Sequence, residues 1–158
     1  MRNTFLILLA AAGLFASCQQ NKQAKKTIDS VAENVVKENP QQTCYMQTMG
    51  RDTISLVLNQ VGDDLSGMLA YDNFEKDSSS GEVKGKMMGD TLVLEYTFQS
   101  EGMLSKSQVA FLRKDNRLIQ GFGDIEEKDG KVMFKNLKTL KYDEQSVVLT
   151  PTDCSSSR

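Results

Sequence analysis

The sequence predicts an all-β fold, a small antiparallel up-and-down β-barrel of about eight strands, on three observations. Beyond Pro40 the apolar residues recur with period two rather than with the helical period. Turn-forming clusters interrupt that alternation about every 8–12 residues, the spacing of an all-β domain. Most connections are short enough for hairpins, so successive strands pair as a meander, and closing the meander removes the edges that would template aggregation. A β-sandwich with Greek-key connections is the alternative, because periodicity does not carry the order of pairing.

Taken in order, Ile54, Leu56 and Leu58 alternate with Thr53, Ser55 and Asn59. Leu92, Leu94, Tyr96 and Phe98 alternate with Thr91, Glu95 and Thr97, which gives each segment one apolar face. Further strands are expected at residues 65–72, 82–88, 106–113, 118–125, 131–140 and 146–150. The connections between them read VGDD, KDSSSG, GDT, SEGMLS, KDNR, EKDG and YDEQ, all rich in turn-forming residues. Gly67, Gly85, Gly121 and Gly123 fall inside strands, where they fit either the bends and close backbone approaches of a small barrel or plain bulges.

Ahead of this domain, assigned to residues 41–158, lies a different kind of sequence. Arg2 supplies a positive charge, and the apolar run FLILLAAAGLFA is too short to span a bilayer as a helix, so residues 1–17 read as a signal peptide. Cleavage before Cys18 by a conventional signal peptidase would place bulky Phe15 where a small residue is wanted. Phe15-Ala16-Ser17-Cys18 instead resembles a bacterial lipobox, with Phe15 where leucine is commoner. The resemblance implies a diacylglycerol thioether on Cys18, which becomes the mature N-terminus. Each buried lipid methylene contributes about 0.8 kcal/mol, and two or more chains hold durably where one is marginal. Ordinary secretion after an Ala-x-Ala, or an uncleaved anchor, are the alternatives.

Residues 18–40 form a tether. QQNKQAKK is polar and basic, suited to solvent and to anionic headgroups. TIDSVAENVVKENP then carries Ile28, Val31, Ala32, Val35 and Val36 at helical spacing, which predicts a short helix stopped at Asn39-Pro40. Gln19 is not the aspartate that resembles an inner-membrane retention signal, and no acidic run follows. In a Gram-negative cell the expected address is the periplasmic face of the outer membrane.

Composition narrows the chemistry. The formal net charge is −2 and there is no histidine. No basic stripe offers a footprint for nucleic acid. Histidine-based triads and histidine metal sites are excluded. Cys44 and Cys154 lie at the two ends of the domain, and export to an oxidising compartment allows them to pair, first strand to last. A loop of that length is stabilised by about 4–5 kcal/mol in the chain-entropy model. No CxxC motif or ligand cluster points to a redox role, a metal or another cofactor.

The segments CY, DTISL, SGMLAY, NFEKD, GDTL, YTFQSEG and GFGD, together with the lipobox, resemble uncharacterised small lipoproteins of Bacteroidetes-type bacteria. The resemblance spans Cys44 to Cys154 and implies a lipocalin-like (calycin-like) barrel, with no activity attached. SGMLAY also resembles the SGxxY segment of periplasmic lysozyme-inhibitor lipoproteins. One extra residue separates Gly67 from Tyr71, which moves the tyrosine to the opposite face of a strand.

Three uses of the polar stretches are weighed. Glu75, Asp77, Glu95 and Glu101 include candidates for the paired carboxylates of a glycoside hydrolase, although no nucleophile motif accompanies the serines and a non-enzymatic role is expected. Asp63-Asp64 and Asp124-Glu126-Glu127 lack the ligand pattern of a calcium loop. For binding, Tyr71, Tyr96, Phe98 and Phe111 facing inward would hold one small apolar ligand, with Ser100 and Glu101 at a rim and Glu75 nearby. The same aromatics would otherwise simply fill the core. Met46, Met49, Met68, Met87, Met88, Met103 and Met133 suit soft packing or a surface for an envelope protein. An interior cavity lined by aromatics marks the first of these binding modes, and a filled barrel with an exposed methionine or aromatic patch marks the second. Oligomeric state is not legible.

Overall fold

A computed structural model describes residues 39–100 and 102–156, with the backbone alone at Ser100 and Ser156. The signal segment, Cys18, the helix expected from Thr27, Glu101 and the Ser100 side chain lie outside the described residues.

The described chain is all-β, with two single-turn 3-10 helices at Leu137–Thr139 and Cys154–Ser156. Its strands are β1 (Gln41–Met49), β2 (Asp52–Val61), β3 (Asp64–Asp72), β4 (Ser79–Met88), β5 (Thr91–Ser100) and β6 (Met103–Lys114). They continue with β7 (Arg117–Phe122), β8 (Ile125–Lys128), β9 (Lys131–Phe134), β10 (Lys141–Tyr142) and β11 (Val148–Thr152). From β1 to β7 each strand pairs antiparallel with the next; β7 then pairs with β11, and β11 with β1. That circuit is a closed eight-stranded up-and-down barrel. Two-residue turns enforce it: Gly50, Gly62 and Gly89 open three of them with φ of 64°, 57° and 62°, a region open to glycine without steric cost. Asp115-Asn116 turns β6 into β7 with both residues at positive φ.

Alternation gives the barrel its filling. Leu56, Leu69, Val83, Leu92, Leu94, Phe111, Leu118 and Leu149 are fully buried, and no charged or polar residue joins them in the core of the described chain. Gly67 and Gly85 belong to the same inward face. A Cβ at Gly67 would lie 1.8 Å from the Val57 carbonyl oxygen, and one at Gly85 1.9 Å from that of Val93, so both mark close backbone approaches where the wall curves.

The number of staves matches the sequence reading, but one of them differs. The segment 131–140 is not a stave: β9 stops at Phe134, and Asn136 caps a 3-10 turn by accepting from the Lys138 amide at 2.9 Å. Its place in the barrel is taken by β1, in which neighbouring Cys44 and Tyr45 are both buried, blurring the alternation. Tyr45 faces the core. Cys44 faces out and is covered by its disulfide to Cys154, with Cα atoms 5.1 Å apart. The strand expected at 118–125 also divides, β7 ending at Phe122 and β8 beginning at Ile125.

Residues 123–147 are an insertion between β7 and β11. The β8–β9 hairpin lies along β6 through one parallel bridge, Ser107 to Val132, and the Phe134 amide donates to Gln108 Oε1 at 3.2 Å. Glu95, on the outer wall, binds Lys106 at 3.3 Å and Lys131 of β9.

Chain direction defines two ends. At the entry end the chain enters β1 and leaves β11, and the β2–β3, β4–β5 and β6–β7 turns lie there. The far end carries the β1–β2, β3–β4 and β5–β6 connections and the exit of β7.

Candidate functional site

Three of the four inward aromatics expected from the sequence meet towards the far end. Strand parity puts Tyr96 and Phe98 on one side of β5, and the register sets Ser107 and Val83 beside Tyr96, and Gly81 and Ser105 beside Phe98. Tyr71 of β3 is opposite Ser79 and Ile54. Small residues beside large ones leave room for the rings: Tyr96 stacks on Phe98 with centroids 4.5 Å apart, and Tyr71 tilts against Tyr96 at 6.0 Å.

Each phenol also has a polar partner. Tyr96 Oη donates to Ser79 Oγ at 3.1 Å, and Tyr71 Oη reaches Gln120 Oε1 of β7 across the lumen at a long 3.5 Å. Burial, reinforced by the neighbouring Tyr96, pushes the Tyr71 phenol up to about 12, with the Gln120 bond opposing. Burial raises Tyr96 as well, opposed by its bond to Ser79. Both stay neutral near pH 7 and keep a hydroxyl available for exchange with a ligand. Tyr71, Phe98, Ser79 and Gln120 remain half-buried.

Around this end, five large apolar side chains stand in solvent: Met49 ending β1, Phe74 in the β3–β4 loop, Met103 and Leu104 opening β6, and Phe122 ending β7. Met103 and Leu104 are 67% and 72% exposed, which makes them surface rather than core. The Phe74 ring lies under the Arg51 guanidinium, with Cζ 3.1 Å from the ring centroid, and its amide donates to Asp52 Oδ1 at 2.8 Å. Asn73, Asp77 and Ser78 hydrogen-bond within the same loop.

Phe111, by contrast, is fully buried between Leu92 and Gln120 and serves as core. Glu75 sits exposed in the β3–β4 loop at φ 57°. Among the carboxylates weighed for hydrolysis, Glu95 faces outward, and the bonds from Lys131 and Lys106 hold its carboxyl below the ordinary range. Asp77 is exposed on the loop.

Gln47 and Gln120 are not singled out by the sequence, and Ser79 reads there as one of the turn serines. Gln47 ties β11 to β1, donating to the Ser146 carbonyl at 3.2 Å and accepting from the Val148 amide at 2.9 Å. Gln120 had a usable signal: two residues from Leu118 on the same strand, it shares that residue's inward face.

The opposite end holds an open cavity of about 270 Å³, lined by Gln41, Thr43, Tyr45, Leu58, Gln60, Arg113 and Asn116. Arg113 Nη2 donates to Gln60 Oε1 at 3.0 Å, while its Nε is buried with no hydrogen-bond partner among the described residues. Leaving such a donor unpaired costs about 1–3 kcal/mol.

Together the fold and the far-end geometry define a small, disulfide-closed β-barrel with an aromatic ladder under an apolar rim. No protein-family model, curated protein or solved structure matches this chain.

Proposed function

We propose that this protein is a lipid-anchored cell-envelope module that binds a small ligand with an apolar body and one hydrogen-bonding group at the far end of its barrel. The carrying observation is the Tyr71–Tyr96–Phe98 ladder, with Tyr96 buried between half-buried Tyr71 and Phe98, flanked by Ser79, Gly81 and Ser105 and ringed by exposed Met49, Phe74, Met103 and Phe122. Aromatic faces supply contact area, and Ser79 and Gln120 supply the convergent polar groups that such sites use for orientation. The packed middle of the barrel limits the ligand to the mouth.

The anchor belongs to the same proposal: diacylglycerol on Cys18, on the periplasmic face of an outer membrane, as in the Bacteroidetes-type lipoproteins that the sequence resembles. The barrel is entered at Gln41, at the end opposite the ladder. The role is non-enzymatic.

Exposure of Met103 and Leu104 favours a second reading, an envelope protein or enzyme docking on the rim in the manner of an inhibitor. Native mass spectrometry of the gently purified protein, followed by denaturing extraction, separates the two. A reproducible small-molecule mass that is lost in Phe98→Ser supports the ligand reading. Absence of any bound mass, together with a pull-down partner lost in Met103→Lys, replaces it with the second.

A further inference from the structure

We propose that the entry end carries a second, independent site, one that takes a small carboxylate on Arg113. Three cations flank the β6–β7 turn, and two of them are matched: Lys114 pairs with Glu144, and Arg117 with Glu144 at 3.3 Å and Asp115 at 3.7 Å. Arg113 has no carboxylate partner among the described residues. It faces inward, on the parity of Val109 and Phe111, and the only side-chain bond it makes among the described residues is to a neutral amide, Gln60. A permanently charged fork with five donors thus lines the cavity with one donor used.

The remaining walls define the chemistry of the occupant. Gln41, Thr43, Gln60 and Asn116 offer neutral amide and hydroxyl groups, and Leu58 and the Tyr45 ring offer an apolar side. One guanidinium with neutral neighbours balances one negative charge. A carboxylate satisfies it bidentately, while phosphate near pH 7 would bring excess charge into a half-buried site. The cavity of about 270 Å³ admits a short-chain acid rather than a long acyl chain. The Nε proton left unpartnered is a donor that reorientation of the guanidinium around a carboxylate would satisfy.

The test is an NMR titration of the full-length protein in nonionic detergent, following the Arg113 Nε–H and Gln60 side-chain amide signals. Sodium butyrate is added at constant ionic strength, with sodium phosphate and sodium chloride in parallel. Butyrate is expected to shift both signals saturably, whereas phosphate and chloride give only small linear changes. Gln60→Glu supplies an internal carboxylate to Arg113 and is expected to weaken butyrate binding by about tenfold or more, leaving the Tyr96 and Phe98 ring signals in place. Those ring signals report the fold and the far-end site separately. Absence of saturation by butyrate, saturation that survives in Gln60→Glu, or saturation by phosphate instead overturns the proposal.

Discussion

Tyr96 and Phe98 stack with their planes 17° from parallel, two residues apart on one strand, and the hydroxyl of Tyr96 is held by Ser79 on the neighbouring strand. Ring stacking and the phenol bond therefore act on the same side chain and are separable by substitution. Tyr96→Phe keeps the stack and removes the bond, and is expected to cost about 0.5–1.5 kcal/mol of stability. Tyr96→Ala removes both and opens a cavity, with an expected cost of about 3–5 kcal/mol. Urea denaturation measures each, and equal losses in the two variants would mean that the hydroxyl, not the ring, holds this end together.

The Tyr71 phenol gives the barrel a dependence on alkaline pH. Its folded value of about 12 lies above the ordinary 10.0, so between those values the unfolded chain has released a proton that the folded one retains. Stability from this group is complete below about pH 10 and declines as pH rises towards 12. Ultraviolet titration of phenolate should show Tyr71 and Tyr96 ionising late, and in Tyr71→Phe the Tyr71 transition should disappear while that of Tyr96 stays late. Early ionisation of all four tyrosines would contradict the buried geometry.

Reduction of Cys44–Cys154 frees a loop spanning 110 residues of sequence separation. The expected loss is about 4–5 kcal/mol in the chain-entropy model. Thermal melts of Cys44→Ser/Cys154→Ser against the oxidised protein measure it. A melting temperature unchanged in the double variant would show that β1 and β11 hold the closure by backbone pairing alone.

Glu95 pins the β8–β9 hairpin to the wall through Lys131, with Lys106 as second partner. Its folded pKa is lowered from 4.5, so the contribution is present above that value and is lost as pH falls through the folded one. Because the pair is partly solvated, Glu95→Gln is expected to cost only about 0.5 kcal/mol globally. Hydrogen exchange should reveal more locally, with faster exchange at the Val132 and Phe134 amides and little change at Leu92 or Leu94. Uniform acceleration across the barrel would refute the local role.

Much of the architecture was legible because a strand turns alternate side chains to opposite faces. Leu92, Leu94, Tyr96 and Phe98 declared one face of β5 without any knowledge of its neighbours, and the two-residue turns at Gly62-Asp63 and Gly89-Asp90 declared the pairing. The segment 131–140 misled because VMF supplies a short apolar run whether it forms a stave or an outer hairpin. Conversely, β1 was hard to delimit because the disulfide buries Cys44 on the face that alternation assigns to solvent.

The candidate site was only partly legible for a related reason. Parity set Tyr71, Tyr96, Phe98 and Phe111 inward together, but did not give their heights along the barrel. The pairing register sets Phe111 opposite Leu92, in the packed core towards the entry end of β5, while Phe98 lies near that strand's other end at the mouth, with Tyr71 beside it through Tyr96. Arg113 shared the parity of Phe111 and could have been read as an inward charge; what made it notable was the absence of a carboxylate opposite.

By itself, then, the sequence determined which residues pair with water and which with one another, the number of staves, and the cysteine pair that fastens the first to the last. These are local or pairwise properties, set by the two-residue period of a strand and by turn chemistry. Tertiary structure decided which segment is the eighth stave, which aromatics reach the mouth and which cation beside the β6–β7 turn has no carboxylate partner among the described residues. Those outcomes depend on the stagger of a closed sheet, a property of all eight strands at once and of none alone.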